Sequence, residues 1–344
     1  MTKDEPAWIS NARDMIARVN TENMANILTI IRENSENLTQ IQSQNAAALG
    51  SLIDQFQNIN AQNLLNVLSI LSDSSDGIMG LLSNEVWKLT TRLDTLEQDL
   101  TERLVLQRRF LPLNLAVEPD RTAPRVVGAM PLEQVFARLQ QAAPENWEAY
   151  LACLDVGTRS YEGLPATSCS TEHHVQSLLF QAFLRPYLRG HVLDIGCGPQ
   201  PVPSYLAGYP HERIVGIDPI SSAENHPFTF VSGVGEHLPF EDAAFDVAVS
   251  GTTLDHYYLL DRGLSEAARV LRPGGHFVAW ITEFAGAPAY DPYAGPVPPY
   301  DAEHMYHIDR AWFLPLMEQA GFVQAETIAF KRPFNYLFMS FVKP

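Results

Sequence analysis

A chain of 344 residues that is 46% hydrophobic has apolar material for at least one full core and length enough for two domains. It is therefore neither a disordered tail nor a small disulfide-stapled fold. Its 40 Asp and Glu against 23 Lys and Arg leave a net charge of −17, which repels phosphate backbones and anionic lipid, so no nucleic-acid partner is expected. Three cysteines, Cys153, Cys169 and Cys197, fit a reducing compartment rather than a disulfide framework. No stretch approaches the roughly 18 apolar residues of a spanning helix, and the N-terminus lacks the basic and apolar regions of a secretory signal. The expected location is the cytoplasm, with no integral membrane segment.

Between Pro6 and Pro112 there is no proline and glycine occurs only at Gly50, Gly77 and Gly80, which reads as long helix. Apolar residues recur at spacings of three and four, through Leu49, Leu52, Phe56 and Ile59, and again through Leu82, Val86, Leu89, Leu93, Leu96 and Leu100. This is a heptad seam, with Asn63 and Asn66 on it, broken at Ser72–Gly77. Residues 1–110 are expected to form a coiled coil through which the chain binds copies of itself. Pro112, Pro119, Pro124 and Pro131 then mark a linker over 111–131. A helical cap over 132–190 follows, with helices at Leu132–Ala143, from Glu145 to about Val156, and from about Thr171 to Leu188. The stretch Gly157–Ser170 reads as loop.

From residue 191 the pattern is strand and turn. Val192–Ile195 is a short apolar strand that runs into Gly196-Cys197-Gly198-Pro199 and an apolar helix around Ser204–Ala207. A glycine-rich turn at a strand's carboxyl end is where open α/β sheets bind nucleotides. A second strand ends at Asp218-Pro219, where a carboxylate is able to accept ribose hydroxyls. A third at Phe228–Val231 leads to Gly233-Val234-Gly235-Glu236, and a fourth is Phe245–Ser250. Arg269-Val270-Leu271-Arg272-Pro273-Gly274-Gly275 turns into a fifth strand, His276–Ile281.

With Val-Leu-Asp-x-Gly-Cys-Gly at 192–198, Leu-Pro-Phe at 238–240 and Arg-Val-Leu-x-Pro-Gly-Gly at 269–275, the region from about 180 to 344 resembles the class I S-adenosylmethionine-dependent methyltransferases. The resemblance implies an α/β, Rossmann-like, seven-stranded sheet with its last strand antiparallel, here Val323–Phe330 and Asn335–Val342, preceded by the coiled coil. The methyltransferase domain would span 191–344. It further implies S-adenosylmethionine as cofactor, with Asp194, Gly196, Gly198, Asp218, Pro219, Gly235, Glu236, Ser250 and Gly251 around it. The cofactor carries an ammonium and no pyrophosphate, and an acid such as Asp194 at a strand end suits it. Gly196 and Gly198 would let the backbone approach the ligand. The family's third glycine is Gln200 here, and Val234 stands where many relatives carry an Asp for adenine. Adenine is then left to main-chain groups near Gly235 and Glu236 and to apolar contact from Leu238, while a plain helix-capping or solvated role for Glu236 stays open.

Methyl transfer from a sulfonium is an in-line displacement, so the protein aligns the acceptor and, for a hydroxyl, removes its proton. The loop after the fourth strand offers Asp255 and His256 as candidate catalytic residues, with Tyr257 beside them as a candidate pocket wall. His304 and His307, inside Asp301–Asp309, are further pocket candidates; histidines three apart with acids are able to bind metal, but without an identified third ligand no metal is assigned. The proline- and aromatic-rich stretch 287–300 suits a carbohydrate platform or a rigid lid. The preferred acceptor is a sugar hydroxyl of a surface polysaccharide or its precursor. The alternatives are a small-molecule O- or N-methyltransferase of secondary metabolism and a non-catalytic scaffold that keeps the cofactor fold.

Overall fold

The computed structural model describes residues 51, 62–63, 76–113, 123–163, 169–171, 174–331 and 335–344. The heptad seam before Ser72 and its break at Ser72–Gly77 lie almost wholly outside them. The chain divides into compact units at 1–93 and 94–344, and helix α1 (Asp76–Gln107) leads into the second. On α1, Trp87 is 67% exposed, and Leu89 and Leu96 are also exposed. Among the helix residues whose side chains are described, Val105 near its end is buried completely. No helix among the described residues is long and apolar enough to cross a membrane.

The second unit, from Asp94, takes in the end of α1. Val105 packs with Phe183, Leu184 and Phe338, and Arg108 holds both oxygens of Glu326, at 3.0 and 2.6 Å. Tyr187 donates its hydroxyl to the same carboxylate. The stretch 111–131 is fastened at both described ends: Arg185 Nε donates to the Leu111 carbonyl at 2.9 Å, and Val127 N donates to the Pro239 carbonyl at 2.8 Å.

Helix α2 (Leu132–Ala142) buries Val135 and Leu139, one turn apart, and stops where Pro144 cannot continue it. Helix α3 (Trp147–Gly163) runs through Gly157, where a loop was expected. Helix α4 (Val175–Leu184) is apolar nearly all round and is correspondingly buried.

The sheet comprises β1 (Val192–Ile195), β2 (Ile214–Asp218), β3 (Thr229–Ser232), β4 (Phe245–Gly251), β5 (Leu271–Thr282), β6 (Val323–Phe330) and β7 (Tyr336–Val342). Their order is β3-β2-β1-β4-β5-β7-β6. The first five run parallel, and β7 is antiparallel to β5 and β6, so the expected seven-stranded sheet is present. Alternate residues feed two cores. Val192, Val249, Val278 and Trp280 join α4 on one face, while Leu193, Ala248, Ala279 and Ile281 meet α2, α3 and the later helices on the other. Covering both faces explains why these strands read as continuous apolar runs.

Helix α5 (Leu260–Val270) turns Leu260, Leu264, Ala267 and Val270 inward. Helix α6 (Arg310–Gln319) is capped by Asp309, whose side chain accepts from Ala311 N at 2.8 Å. The expected helix around Ser204–Ala207 is only a single tight turn, Ser204–Leu206. Pro199, Pro201 and Pro203 lack the N–H groups a helix would use and bias their predecessors away from helical angles.

Candidate active site

Where the carboxyl ends of β1 and β2 meet the turns after β3 and β4, a cleft opens to solvent. Its sheet side is Ile195, Gly196, Ile217, Asp218, Pro219 and Ile220, and then Gly233 to Glu236. Thr253, His256 and Tyr257 close one end, with Glu303 and Met305 beside them. Helix α3 supplies the facing wall, Tyr150, Cys153, Leu154, Gly157 and Tyr161. The lining carries Asp218, Glu236 and Glu303 and no Lys or Arg. Such a cleft favours a cation over a phosphate.

Gly196 is required by the fold itself. Its φ is +76° and a Cβ there would lie 2.8 Å from Thr253 Cβ. Its N–H donates to the Ile217 carbonyl at 2.7 Å. Thr253 locks the turn from the other side, donating its hydroxyl to the Ile195 carbonyl at 2.9 Å and bonding Ser250 Oγ at 2.6 Å. Gly235 is similarly committed, because a Cβ would sit 2.6 Å from Tyr257 Cε2. At both positions glycine answers to protein packing rather than only to a ligand.

Asp218 closes β2. Its Oδ1 accepts from Ile220 N and Ser221 N, both at 2.9 Å, and Oδ2 accepts from Gly198 N at 3.0 Å. Burial lifts this carboxyl above its usual range, and the three N–H bonds restrain the rise. The same bonds fix the carboxylate's direction. Glu236 is buried, with Oε1 accepting from Tyr258 N at 2.6 Å and Leu259 N at 3.1 Å. It anchors the segment after β4, and burial pushes its carboxyl up to about 7.

Asp194 stands apart. It is fully buried in the middle of the sheet and does not line the cleft. Tyr205, from the turn after β1, covers it, with the hydroxyl 3.2 and 3.1 Å from its two oxygens. Burial drives its carboxyl up to about 8, against the opposing effect of that hydroxyl.

Among the residues expected from sequence, Gly196, Asp218, Pro219, Gly235, Glu236, His256 and Tyr257 converge on the cleft. Asp194, Gly198, Ser250, Gly251, Asp255, His304 and His307 do not line it. Gly198 acts on it through Asp218. Leu238, expected to give apolar contact, is buried elsewhere in the core, while Val234 lines the cleft. Reading Gly157 as a loop start hid the α3 wall. The signal for it was the apolar and aromatic run Trp147, Tyr150, Leu151, Leu154, Tyr161 at helical spacing. On that wall the Cys153 thiol lies 3.7 Å from Met305 Sδ, and burial pushes it above its ordinary value.

His256 is half-exposed, its ring stacked on His304 with centroids 4.8 Å apart. Tyr290, from the stretch expected to grip sugars, is buried and stacked on Tyr306 at 4.1 Å.

Residues 193–279 match the family model described as Methyltransferase domain. Among curated proteins, the chain is similar to the phthiotriol/phenolphthiotriol dimycocerosates methyltransferase 1 of Mycobacterium ulcerans, at 33% identity over 28% of this chain and 43% of that protein. It is also similar to the fatty-acid O-methyltransferase of Mycolicibacterium smegmatis, at 36% identity over 25% of this chain and 35% of that one. The chain thus spans less than half the length of either relative. A solved structure, the 1,6-didemethyltoxoflavin-N1-methyltransferase of Burkholderia thailandensis, aligns with 67% of this chain and 99% of its own at 21% identity and a TM-score of 0.45.

Proposed function

We propose that residues 193–279, which match the model described as Methyltransferase domain, belong to a class I, S-adenosylmethionine-dependent methyltransferase domain, that the cleft binds S-adenosylmethionine, and that the chain moves its methyl group to a hydroxyl of a small molecule with an apolar body. The observation that carries this reading is the acid-lined cleft without Lys or Arg at the ends of β1 and β2, with Asp218 held at its edge by three N–H bonds. S-adenosylmethionine is cationic, and one hydroxyl of its ribose diol suits the lone pair left on Asp218 Oδ2. Val234 and the main chain at Gly235 and Glu236 take adenine. The methionine end lies toward Gly196; its ammonium reaches Asp194 only once Tyr205 turns aside.

The acceptor occupies the side walled by Tyr150, Leu154, Tyr161 and Met305, beside His256 and Asp255. Those apolar and aromatic groups suit a lipid-like or aromatic body, and the names of the mycobacterial relatives, a fatty-acid and a phthiotriol methyltransferase, lean the same way. A sugar hydroxyl is the second reading, favoured by half-exposed Tyr293 and Tyr300; the burial of Tyr290 takes one aromatic away from it. The exposed Leu89 and Leu96 of α1 support self-association of the N-terminal segment.

Calorimetry with S-adenosylhomocysteine tests the cofactor, and transfer of labelled methyl to candidate hydroxy lipids, phenols and sugars tests the acceptor. Binding should disappear in Asp218→Ala. Equal affinity in that variant removes the cofactor assignment, and binding without transfer to any acceptor favours the scaffold reading.

A further inference from the structure

Beside the cleft, three side chains from two loops meet: Asp255 and His256 after β4, and His304 before α6. Their potential ligand atoms lie within 4.8 Å of one another. His256 Nδ1 is 3.1 Å from the Glu303 carbonyl oxygen, which only accepts, so that nitrogen carries the proton. His304 Nδ1 lies 2.9 and 3.0 Å from the two oxygens of Asp301 and carries its proton for the same reason. In the neutral rings each Nε2 is then left with a lone pair. Both Nε2 atoms face a single carboxylate, His256 at 3.9 Å from Asp255 Oδ1 and His304 at 3.9 Å from Asp255 Oδ2. Lone pairs opposed to a carboxylate repel it. Protonated rings would remove the repulsion, but 3.9 Å is too long for N–H···O bonds.

A cation between them satisfies all three groups. Two neutral imidazoles and a carboxylate form a transition-metal donor set, and a far-side N–H tied to a carbonyl or carboxylate is the outer support such imidazoles use. Ligands about 2.0–2.2 Å from one ion stand roughly 3.0–3.6 Å apart, so movements under about 1 Å close the set. We propose that Asp255, His256 and His304 bind a divalent transition-metal cation, of the zinc, manganese or iron(II) class, at the edge of the cleft.

The competing set, Asp301, His304 and His307, is already used by the fold. Asp301 Oδ1 accepts from Glu303 N and His304 N, each at 2.8 Å, in addition to the His304 ring. His307 is buried and stacked on Phe284 at 3.7 Å.

Resting on the methyltransferase reading, the cation's open positions take the acceptor's hydroxyl oxygen. Coordination makes that O–H more acidic and its proton leaves to solvent. An oxygen lone pair then forms the O–CH3 bond while the sulfonium C–S bond breaks, its electron pair staying on sulfur. His256 is in this account a ligand rather than a base.

The test uses the full chain, stripped of metal by a chelator and titrated with Zn2+ in a calorimeter. It should take up about one ion per chain, and Co2+ should give the visible absorption of a mixed nitrogen–oxygen site. Asp255→Asn and His304→Ala should each weaken Zn2+ binding at least about 100-fold, with His307→Ala within about 3-fold of the parent. Circular dichroism of each variant confirms that it is folded. No uptake by the full chain, unchanged affinity in both Asp255→Asn and His304→Ala, or loss confined to His307→Ala overturns the site. Failure of the parent chain to bind S-adenosylhomocysteine overturns the methyltransferase reading instead; the metal titration does not depend on it.

Discussion

Replacing Asp194 by Asn should flatten the pH dependence of this protein's stability. The carboxyl lies fully buried beneath Tyr205, and burial lifts it from an ordinary 3.8 to about 8. Below pH 4 it is protonated in the folded and unfolded chains alike, and its contribution is intact. As pH rises the unfolded chain releases the proton while the folded chain keeps it, so stability falls by about 1.4 kcal/mol per pH unit. The fall ends near pH 8, where the folded form ionises too, and the accumulated loss is on the order of 5 kcal/mol. Asn cannot ionise, so the variant keeps the declines from the other buried acids, Asp218, which burial also raises, and Glu236, whose carboxyl rises from 4.5 to about 7. Urea unfolding followed by near-ultraviolet circular dichroism at pH values of about 5, 6.5 and 8.5 reads this directly. Relative to the parent, Asp194→Asn should gain several kcal/mol between the first and last of these. Tyr205→Phe, which removes the hydroxyl favouring the ionised form, should carry the decline to still higher pH. Parallel stability curves for the parent and Asp194→Asn would refute the reasoning.

Gly196→Ala forces a side chain onto a φ of +76° and against Thr253; a loss of about 2–4 kcal/mol is expected in denaturant unfolding, and an unchanged midpoint contradicts the locked turn. His256→Ala should lower turnover about 100-fold with S-adenosylhomocysteine affinity within about 2-fold; equal turnover returns the residue to a packing role. Arg108→Ala, which frees Glu326 from its half-buried partner, should cost about 1 kcal/mol and speed hydrogen exchange in the last turn of α1, and unaltered exchange there counts against the docking. Light scattering should find the full chain associated and a chain starting at Asp94 monomeric. A monomeric full chain removes the assembly proposal.

The central strands were legible because β1, β2 and β4 are short, buried, mainly apolar runs between turn residues, which covering on both faces permits. Asp218 was legible for the same reason, as the acid that ends such a run. Its three N–H partners were not, since they depend on how the chain folds back after Pro219. Asp194 shows the limit most clearly. The motif places it at a strand, but whether it meets a ligand or lies sealed is decided by Tyr205, which the proline-broken turn brings over it. His304 and His307 drew attention by their spacing, which is a local property. The neighbour that matters to His304 is Asp255, forty-nine positions earlier by number, and only the folded loops bring it within 3.9 Å.

The thiol of Cys153 on the α3 wall raises a question of chemoselectivity. A sulfonium methyl donor alkylates thiolates readily, so a chain that seats one beside a cysteine risks consuming its own cofactor and blocking its own cleft. The burial that pushes Cys153 above its ordinary value keeps the sulfur in its protonated, weakly nucleophilic form. Under the proposed reading, the apolar wall of the acceptor side would thus also protect the protein from methylating itself.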